Sequence, residues 1–409
     1  MAATLNLHKV FAGDGGYLAN LKVRDADADA LREAREEIRA TLRSAFREWR
    51  QYVSRDDLFE AWVAKSADPP ALPQPKFRLQ GSFAYHTAND PQQTPPQQLD
   101  QDDGVFLPLS FLASNGTTRP TIVSKAYFKI VEDALRPLCA RRGWVLNPGK
   151  PKDTCVRIEI GARIHIDLPL YAIRDEAFGR LKETSLAKSL GRVVAMDEVA
   201  FAEDLFDDVY RGLAASEIML AHRVEGWKAS DPRKVEDWFN DALGFFGPQV
   251  RRLSRTYKGM RDAAEARSEL SSICIMAATV TALENLGVQE ASRDDLALLN
   301  TAREMVKVLA GPIEHPAFAG DPDHYLCKDW TSHVREAVCD LFRRAADELE
   351  AAIHGTVNRD VALAHARRAF GSRIPTDTNL IGLVGAAAVI RNTPPAPQPQ
   401  PMTVRTKSG

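Results

Sequence analysis

Apolar residues recur at three-, four- and seven-residue steps between Ala26 and Val53, and arginine and glutamate fill many of the positions between them. This spacing places the apolar side chains on one face of a helix and the charged side chains on the other. The pattern predicts a long amphipathic helix whose charged face is solvated rather than a binding site. Its apolar positions are Leu31, Ile38, Leu42, Phe46, Trp49 and Val53.

A shorter period follows, in which apolar and polar residues alternate over segments of strand length. Cys155–Ile160 and Ile164–Leu170 alternate in this way, which is typical of strands that are buried on one face. Phe77–Gln80 and the apolar run Val105–Leu109 predict further strands, and Ser124–Arg141 predicts a helix that lies on the sheet. These segments together predict a mixed sheet with flanking helices.

From about Ala177 the apolar spacing is helical throughout. The sequence therefore predicts an α+β fold with a sheet domain at 1–176, a helical lobe at 177–390, and a cleft between the two. The predicted helices are Phe178–Leu190, Val199–Leu220, Val235–Phe245, Pro248–Asp262, Leu270–Leu286, Arg293–Ala310, Ser332–His354 and Val357–Phe370. Residues 391–409 are rich in proline and predict a disordered, extended tail.

Composition narrows the class of protein. With 409 residues, of which 44% are hydrophobic, the chain can bury a large core. A formal net charge of -2 argues against a general nucleic-acid-binding protein, so any phosphate binding must be local. The five cysteines have no metal-like spacing and indicate reduced thiols in a cytoplasm. The longest apolar stretch, Leu380–Ile390, is too short to span a membrane.

The candidate chemistry lies at the predicted strand ends. Gly81 and Ser82 are followed by Asp100 and Asp102, and Asp167 lies on a later strand. Side chains at i and i+2 of a strand point the same way, so Asp100 and Asp102 can share metal ions, and a third carboxylate would complete the ligand set. Gly81 lets the backbone approach a triphosphate, and Ser82 can donate hydrogen bonds to it. The pattern indicates a metal-dependent nucleotidyltransferase.

Simpler interpretations stand beside this one. Aspartates are common in exposed turns, but the apolar segments after Asp102 and around Asp167 indicate buried strands. His165, two residues before Asp167, is interpreted as a structural or supporting imidazole and is left out of the metal set. The glycine-rich segment 13–16 lacks the Lys-Ser/Thr ending of a phosphate loop and is interpreted as a turn.

The motifs resemble those of the bacterial cGAS/DncV-like nucleotidyltransferases, the CD-NTases of CBASS anti-phage systems. The resemblance covers most of the chain, and the gap between Ser82 and Asp100 is similar in length to that of DncV-like enzymes. The segments that carry it are 79–85, 95–104, 153–160, 165–173, 230–235 and 252–258. It implies a polymerase-β-like palm, with a long N-terminal helix in the sheet domain, and an active site in the cleft that the palm forms with the helical lobe.

The resemblance also implies a reaction. Asp100, Asp102 and Asp167 would hold two Mg²⁺ ions, with Mn²⁺ as a substitute, for nucleotidyl transfer with pyrophosphate release. The substrates would be ATP and GTP, and the product a cyclic GMP-AMP-type second messenger that activates a separate effector protein in phage defence. The implied nucleotide contacts are Gln80, Gly81, Ser82, Tyr85, Arg157, Ser230, Asp231, Lys258 and Ser272.

Some of these residues have ordinary structural interpretations too. Arg251, Arg255 and Lys258 lie at i, i+4 and i+7 on one helical face, which is also the pattern of an exposed basic stripe. Ser230 and Asp231 precede a proline as helix-capping residues do. Tyr85 can stack on a base or pack behind the Gly81–Ser82 turn.

The tail carries a separate expectation. Some cyclases of this family are joined through their C-terminal residue to targets by a ubiquitin-like E1–E2 enzyme, and a flexible arm that ends in Gly409 suits such conjugation. The alternative is a disordered end without function.

Three other functions remain open at the sequence level. The first is a linear oligonucleotide polymerase, and the second is a nucleotidyl transferase that acts on another acceptor. The third is a non-catalytic nucleotide-binding module. Retention of three clustered aspartates argues against that module, because buried carboxylates are costly without a cation to neutralise them.

Overall fold

The computed structural model describes residues 4–48, 74–108, 120–173, 218–230, 232–264 and 269–384. The strands are β1 (Thr4–Asn6), β2 (Lys76–Gln80), β3 (Leu99–Pro108), β4 (Val145–Leu146), β5 (Cys155–Glu159), β6 (Ile164–Ile173), β7 (Ile218–His222), β8 (Gly226–Ala229) and β9 (Gly382–Val384). The helices are α1 (His8–Ala12), α2 (Tyr17–Asn20), α3 (Asp25–Arg47), α4 (Gly81–Ala84), α5 (Pro120–Arg142), α6 (Arg233–Phe246), α7 (Gln249–Ala264), α8 (Ser272–Leu286), α9 (Asp294–Ala310), α10 (Ser332–Ile353) and α11 (Arg359–Phe370).

A mixed sheet of seven strands forms the palm. Its order is β2-β3-β6-β5-β4, and β7 and β8 extend it beside the second half of β6. The central pair, β3 and β6, runs parallel, while the other pairs are antiparallel. This confirms the α+β fold class that the sequence predicts.

Strand alternation separates the core of the palm from its functional face. Ile166 and Leu168 of β6 are buried in a cluster with the apolar faces of α3 and α5. Arg39 of α3 reaches through this layer and pairs with Asp103 of β3 at 2.6 and 2.8 Å. Because successive side chains of a strand point to opposite faces, Asp102 on β3 faces away from α3.

The helices of the second half pack into a separate core, and the N-terminal segment belongs to it. Leu5, Phe11 and Tyr17 are fully buried among the helices of the second half. Phe11 packs edge-on against Phe370 at 5.0 Å, and the Tyr17 hydroxyl donates to the Phe370 carbonyl. β1 pairs with β9, so the segments near both ends of the described chain meet.

These contacts correct the predicted division at residue 176 in two places. Residues 4–21 contribute to the helical core, although the sequence assigned them to the palm. β7 and β8 join the palm sheet, although the sequence predicted only helices beyond Ala177 and a helix as far as Leu220. The backbone bonds of β7 to β6 decide its conformation, and no local pattern encodes that distant partner.

The other predicted helices of the second half differ from the observed ones by two residues or fewer at each end. The predicted helix Phe178–Leu190, most of Val199–Leu220, the end of the first long helix beyond residue 48 and the tail at 391–409 lie outside the described residues. Within the described ranges, no helix combines the length and apolarity that a membrane span needs.

Candidate active site

Four side chains align across neighbouring strands on the functional face of the palm. In the strand register Gln80 faces Asp102, Asp102 faces Asp167, and Asp167 faces Arg157. Two residues earlier on the parallel pair, Asp100 faces His165. Parallel pairing of β3 with β6 is therefore what brings the D-x-D motif to the third aspartate.

The absence of a side chain at Gly81 leaves room for the Asp102 carboxylate. Gly81 begins α4 directly after β2 and has a φ of 65°, a conformation that glycine adopts without strain. A β-carbon at this position would lie 2.1 Å from the Asp102 Oδ2 atom. The glycine thus provides both the turn and the space that the Asp102 carboxylate occupies.

The carboxylates differ in their electrostatic surroundings. Burial, followed by the charges of Asp100 and Asp167, raises the pKa of Asp102 to about 8. Burial acts in the same direction on Asp167, but hydrogen bonds from Arg157 and Lys152 outweigh it and lower the pKa of that carboxyl. Arg157 donates to both Asp167 oxygens at 2.7 Å, and Lys152 donates to Oδ2 at 2.9 Å.

A cavity of about 260 Å³ opens between this face of the palm and helices α7 and α8. Of the residues predicted from the sequence, it brings together Gly81, Ser82, Tyr85, Asp100, Asp102, Lys258 and Ser272. Thr87, Asn89, Gln98, Leu99, Arg261, Asp262, Ile273 and Met276 complete the lining. Asp167 lies on β6, the strand next to β3, and Arg157 lies one strand further, on β5.

Lys258 is buried in the wall of this cavity. Its Nζ atom donates to the Thr87 carbonyl at 2.7 Å. Burial, reinforced by the neighbouring Arg261, lowers the pKa of Lys258 to about 7. The three cations that the sequence placed on one helical face all contact the same loop, because Arg251 donates to the Tyr85 carbonyl and Arg255 to the Asn89 side chain.

Ser272 is the first residue of α8, so the N-terminus of that helix points at the cavity. Ser271 caps this helix by accepting from the Cys274 N–H. Arg261, which the sequence interpretation missed, donates to the Ser272 hydroxyl at 3.3 Å and to the Leu270 carbonyl. A helix N-terminus with an adjacent arginine favours anionic groups such as phosphate.

The remaining predicted contacts lie elsewhere. Gln80 accepts from the Tyr171 hydroxyl at 3.2 Å and does not line the cavity. Ser230, half-buried, follows β8 and is also absent from the lining. Tyr85 lines the cavity and packs on Phe239 at 6.3 Å. Asp231 and Gly409 lie outside the described residues.

Three further residues of the site were absent from the predicted set: Lys152, Gln98 and His165. Lys152 and Gln98 precede strands β5 and β3, and His165 is buried with its ring edge toward Asp100. Ring and carboxylate atoms of Asp100, His165 and Asp167 lie within 4.8 Å of one another, so this trio can hold a metal ion. The alternation of β6 places His165 and Asp167 on one face and was the available signal.

Comparison with known proteins finds similarity along most of the chain. The model of the "Cyclic GMP-AMP synthase DncV-like, nucleotidyltransferase domain" matches residues 75–171, and that of the "Cyclic GMP-AMP synthase, C-terminal domain" matches residues 247–382. A cyclic GMP-AMP synthase of Escherichia coli (strain TW11681) is 29% identical over 429 residues, which cover 95% of each chain. One from Vibrio cholerae serotype O1 is 29% identical over 450 residues and all of both chains.

Solved structures of the Vibrio cholerae enzyme DncV share the fold. DncV in complex with the linear intermediate 5' pppA(3',5')pG is 26% identical, with a TM-score of 0.74 over 94% of this chain and 100% of that one. A DncV mutant in complex with ATP, GTP and 5MTHFGLU2 gives a TM-score of 0.76 at 26% identity, over 93% and 100% of the two chains. The chain is therefore a nucleotidyltransferase and belongs to the DncV-like family.

Proposed function

We propose that this protein joins ATP and GTP into a cyclic GMP-AMP-type dinucleotide with release of pyrophosphate. The observation that carries the proposal is the convergence of Asp100, Asp102 and Asp167 beside a cavity that Lys258 and the N-terminus of α8 line. The full-length likeness to cyclic GMP-AMP synthases supports the choice of this reaction over other nucleotidyl transfers.

The site fits the divalent cation that the family implies. The Asp100 Oδ1 atom is buried and has no hydrogen-bond partner among the described residues. The raised pKa of Asp102, caused by burial and by Asp100 and Asp167, supports a bound cation here, because a cation would favour the ionised carboxylate. We propose that Asp100, Asp102 and Asp167 hold two Mg²⁺ ions. When bound, these ions would neutralise charge on the reacting phosphate and its leaving group.

The helical wall supplies the triphosphate contacts. Lys258 is a buried cation in the lining of the cavity, and its only hydrogen bond among the described residues goes to the Thr87 carbonyl. Ser82 and Ser272 border the same cavity and can donate hydroxyl hydrogen bonds. Because Arg261 lines the cavity beside Ser272, it adds a second positive charge for the β- and γ-phosphates.

The nucleophile would be prepared at Asp167. A ribose hydroxyl of the acceptor nucleotide attacks the α-phosphate of the donor, its proton passes to Asp167, and pyrophosphate leaves. Arg157 and Lys152 keep Asp167 in its carboxylate form, which is the form that can accept a proton. In a second attack, a ribose hydroxyl of the linear intermediate bonds to the α-phosphate of its remaining triphosphate, which closes the ring and releases a second pyrophosphate. We propose Arg157 as a contact to the acceptor nucleotide as well.

Base contacts are proposed for Tyr85, Ser230 and Asp231. The Tyr85 ring borders the cavity, which supports a stacking role for a base. We further propose that the product acts in the cytoplasm as a phage-defence messenger that activates a separate effector. Conjugation of Gly409 by an E1–E2 enzyme remains a prediction, and loss of conjugation on trimming Gly409 is its test.

Product analysis tests the proposal directly. Purified protein is incubated with Mg²⁺ and all four nucleoside triphosphates, beside an Asp100→Asn/Asp102→Asn variant. The exposed substitution Asp29→Asn serves as the control, since it makes the same Asp-to-Asn change at one surface carboxylate that does not line the cavity. We expect a phosphatase-resistant cyclic species, read by mass spectrometry, from the wild type and the control but not from the double variant.

Other outcomes would point elsewhere. A ladder of linear products would identify a polymerase, and labelling of a non-nucleotide acceptor by one nucleotide would identify a different transferase. Nucleotide binding without turnover under any metal or partner condition would indicate a binding module. If the cyclic species is found, its sensitivity to a 3'–5'-specific nuclease determines the linkage.

A further inference from the structure

The His165 imidazole is poised against the carboxylates of the site. His165 is 5% exposed, and its Nε2 atom lies 2.8 Å from the Asp100 Oδ1 atom. The direction of approach is unsuitable for a hydrogen bond, and both atoms lack a hydrogen-bond partner among the described residues. A carboxylate oxygen of Asp167 lies within 4.8 Å of the same atoms.

Gln98 determines which ring nitrogen carries the proton. The Gln98 amide nitrogen faces the Gly161 and Ala162 carbonyls at 3.5 and 3.3 Å, and these can only accept. Its Oε1 atom must therefore face His165, and it lies 3.0 Å from Nδ1. Because an amide oxygen can only accept, Nδ1 is the donor in this network, and the neutral imidazole keeps a lone pair on Nε2.

Two lone pairs then face each other at 2.8 Å, on the His165 Nε2 and Asp100 Oδ1 atoms. Such an approach is repulsive unless a cation lies against both atoms. A histidine that donates one ring N–H to an oxygen acceptor and leaves the other nitrogen free is the usual arrangement of a metal ligand. The Asp102 carboxylate lies outside this trio, next to Gly81.

We infer that His165 Nε2 is a nitrogen ligand of the metal ion that Asp100 and Asp167 hold, and that Gln98 is the residue that positions it. The inference rests on the metal site of the proposed function and adds to it a ligand other than carboxylate. Mg²⁺ prefers oxygen ligands, whereas imidazole suits transition metals. The site should therefore favour Mn²⁺ more strongly than three carboxylates alone would.

The test is spectroscopic and does not depend on turnover. Mn²⁺ is added to the purified full-length protein, and electron spin echo envelope modulation reports any directly bound ¹⁴N. We expect imidazole coupling in the wild type. In His165→Gln we expect Mn²⁺ to remain bound through carboxylates without that coupling, and with roughly tenfold to hundredfold weaker affinity. Gln98→Ala should also weaken Mn²⁺ affinity, since the ring loses its orienting acceptor.

The matched control is His222→Gln. His222 is also a buried histidine of the same sheet, 7% exposed, and its Nδ1 accepts from the backbone of Val224 and Glu225. This variant should keep the nitrogen coupling and the Mn²⁺ affinity of the wild type. Circular dichroism verifies that each variant is folded before its spectrum is compared.

Two results would overturn the inference: Mn²⁺ bound to the wild type without ¹⁴N coupling, or no Mn²⁺ binding by the folded wild type. The first would mean that the ion binds through oxygen ligands alone and that His165 Nε2 does not reach it. Failure of the proposed function is separable from these results. Nitrogen coupling in a protein that makes no cyclic product would support His165 as a ligand and contradict the proposed cyclase function. Cyclic product without nitrogen coupling would support the cyclase function and contradict His165 as a ligand.

Discussion

At the scale of single residues, the position of Asp102 depends on the absence of a side chain at Gly81. The Asp102 Oδ2 atom occupies the space in which a β-carbon of residue 81 would lie. The carboxylate cannot move without leaving its alignment with Asp167 across β3 and β6. A single methyl group at position 81 is therefore enough to displace a proposed metal ligand.

Gly81→Ala should reduce the rate of nucleotidyl transfer roughly a hundredfold, because a displacement of about 1 Å has that effect in preorganised sites. Gly143→Ala is the matched control, since Gly143 has a φ of 70° but open space around its β-carbon position. Both variants carry the backbone cost of about 1 kcal/mol. Equal activity of the two variants in a pyrophosphate-release assay would show that backbone strain, and not contact with Asp102, matters at position 81.

Lys258 predicts a pH dependence. Its pKa falls from 10.5 to about 7 in the folded protein through burial, and the charged groups facing it are Arg261, Asp262, Arg255 and Asp100. A bound triphosphate favours the charged form of the Lys258 amine. Nucleotide binding should therefore be accompanied by uptake of about one proton at Lys258 near pH 8, and by almost no uptake near pH 6. Calorimetry in buffers of different ionisation enthalpy measures this uptake.

Lys258→Met should remove the part of the proton uptake that Lys258 contributes, and an unchanged difference between pH 6 and 8 would contradict the prediction. The same pKa has a consequence for the free protein. Between about pH 7 and 10.5 the unfolded chain binds more protons at Lys258 than the folded chain. The contribution of Lys258 therefore makes the free energy of unfolding rise with pH in that window.

The sequence predicted the residues that follow a strand period. Asp100, Asp102 and Asp167 belong to alternating strands, so their common face could be inferred from spacing alone. His165 shares that face but was set aside, because its role depends on the orientation of Gln98, which is a property of three dimensions. Arg261 was missed because its contact with Ser272 depends on how α7 meets α8.

At the scale of elements, the loop between α4 and β3 is fastened to helix α7 and to the chain around it. Three glutamine side chains of the loop, those of Gln92, Gln93 and Gln97, donate to carbonyls at the C-terminal end of α7. Asp90 of the loop pairs with Arg163 at 2.6 Å and with Arg373 at 2.8 Å. The loop therefore holds α7, which carries Lys258, against the palm.

Asp90→Asn should lower the free energy of unfolding by about 2 kcal/mol. The expected loss is smaller than for a fully buried pair because Arg163 and Arg373 are 29% and 21% exposed. Asp29→Asn breaks a pair whose carboxylate is 61% exposed and should change stability by no more than about 0.5 kcal/mol. Equilibrium urea unfolding compares the two variants, and equal losses would mean that the contacts of Asp90 add nothing beyond a surface pair.

Element prediction succeeded where the local pattern and the tertiary contacts agree. α3 buries Leu31, Ile38, Leu42 and Phe46, as the helical period predicts. β7 was read as the end of a helix, because Ile218–His222 is short and its partner on β6 is some 45 residues away in sequence. Long-range strand pairing of this kind is invisible to periodicity.

At the scale of the whole molecule, the chain closes on itself in the helical core. The N-terminal residues Leu5, Phe11 and Tyr17 lie among helices of the second half, and α7 belongs to the same core. The hydroxyl of Tyr17 and the side chain of Leu21 also lie close to Gly259, which neighbours Lys258 on α7. Sequence alone could not predict this, because the N-terminal segment has an apolar composition that fits either core.

Phe11→Ala should destabilise the protein by about 3–5 kcal/mol, because it leaves a cavity against Phe370 in the helical core. Phe245→Ala removes the same side chain from a position that is 71% exposed and should change stability by no more than about 0.5 kcal/mol. If the N-terminal segment packed only against the palm, the loss of stability in Phe11→Ala would not change hydrogen exchange in the helices of the second half. Hydrogen exchange distinguishes the two cases: we expect faster exchange in α7 and α11, and unchanged protection of β3 and β6, in Phe11→Ala. Faster exchange confined to the palm strands would contradict the packing of the N-terminal segment in the helical core.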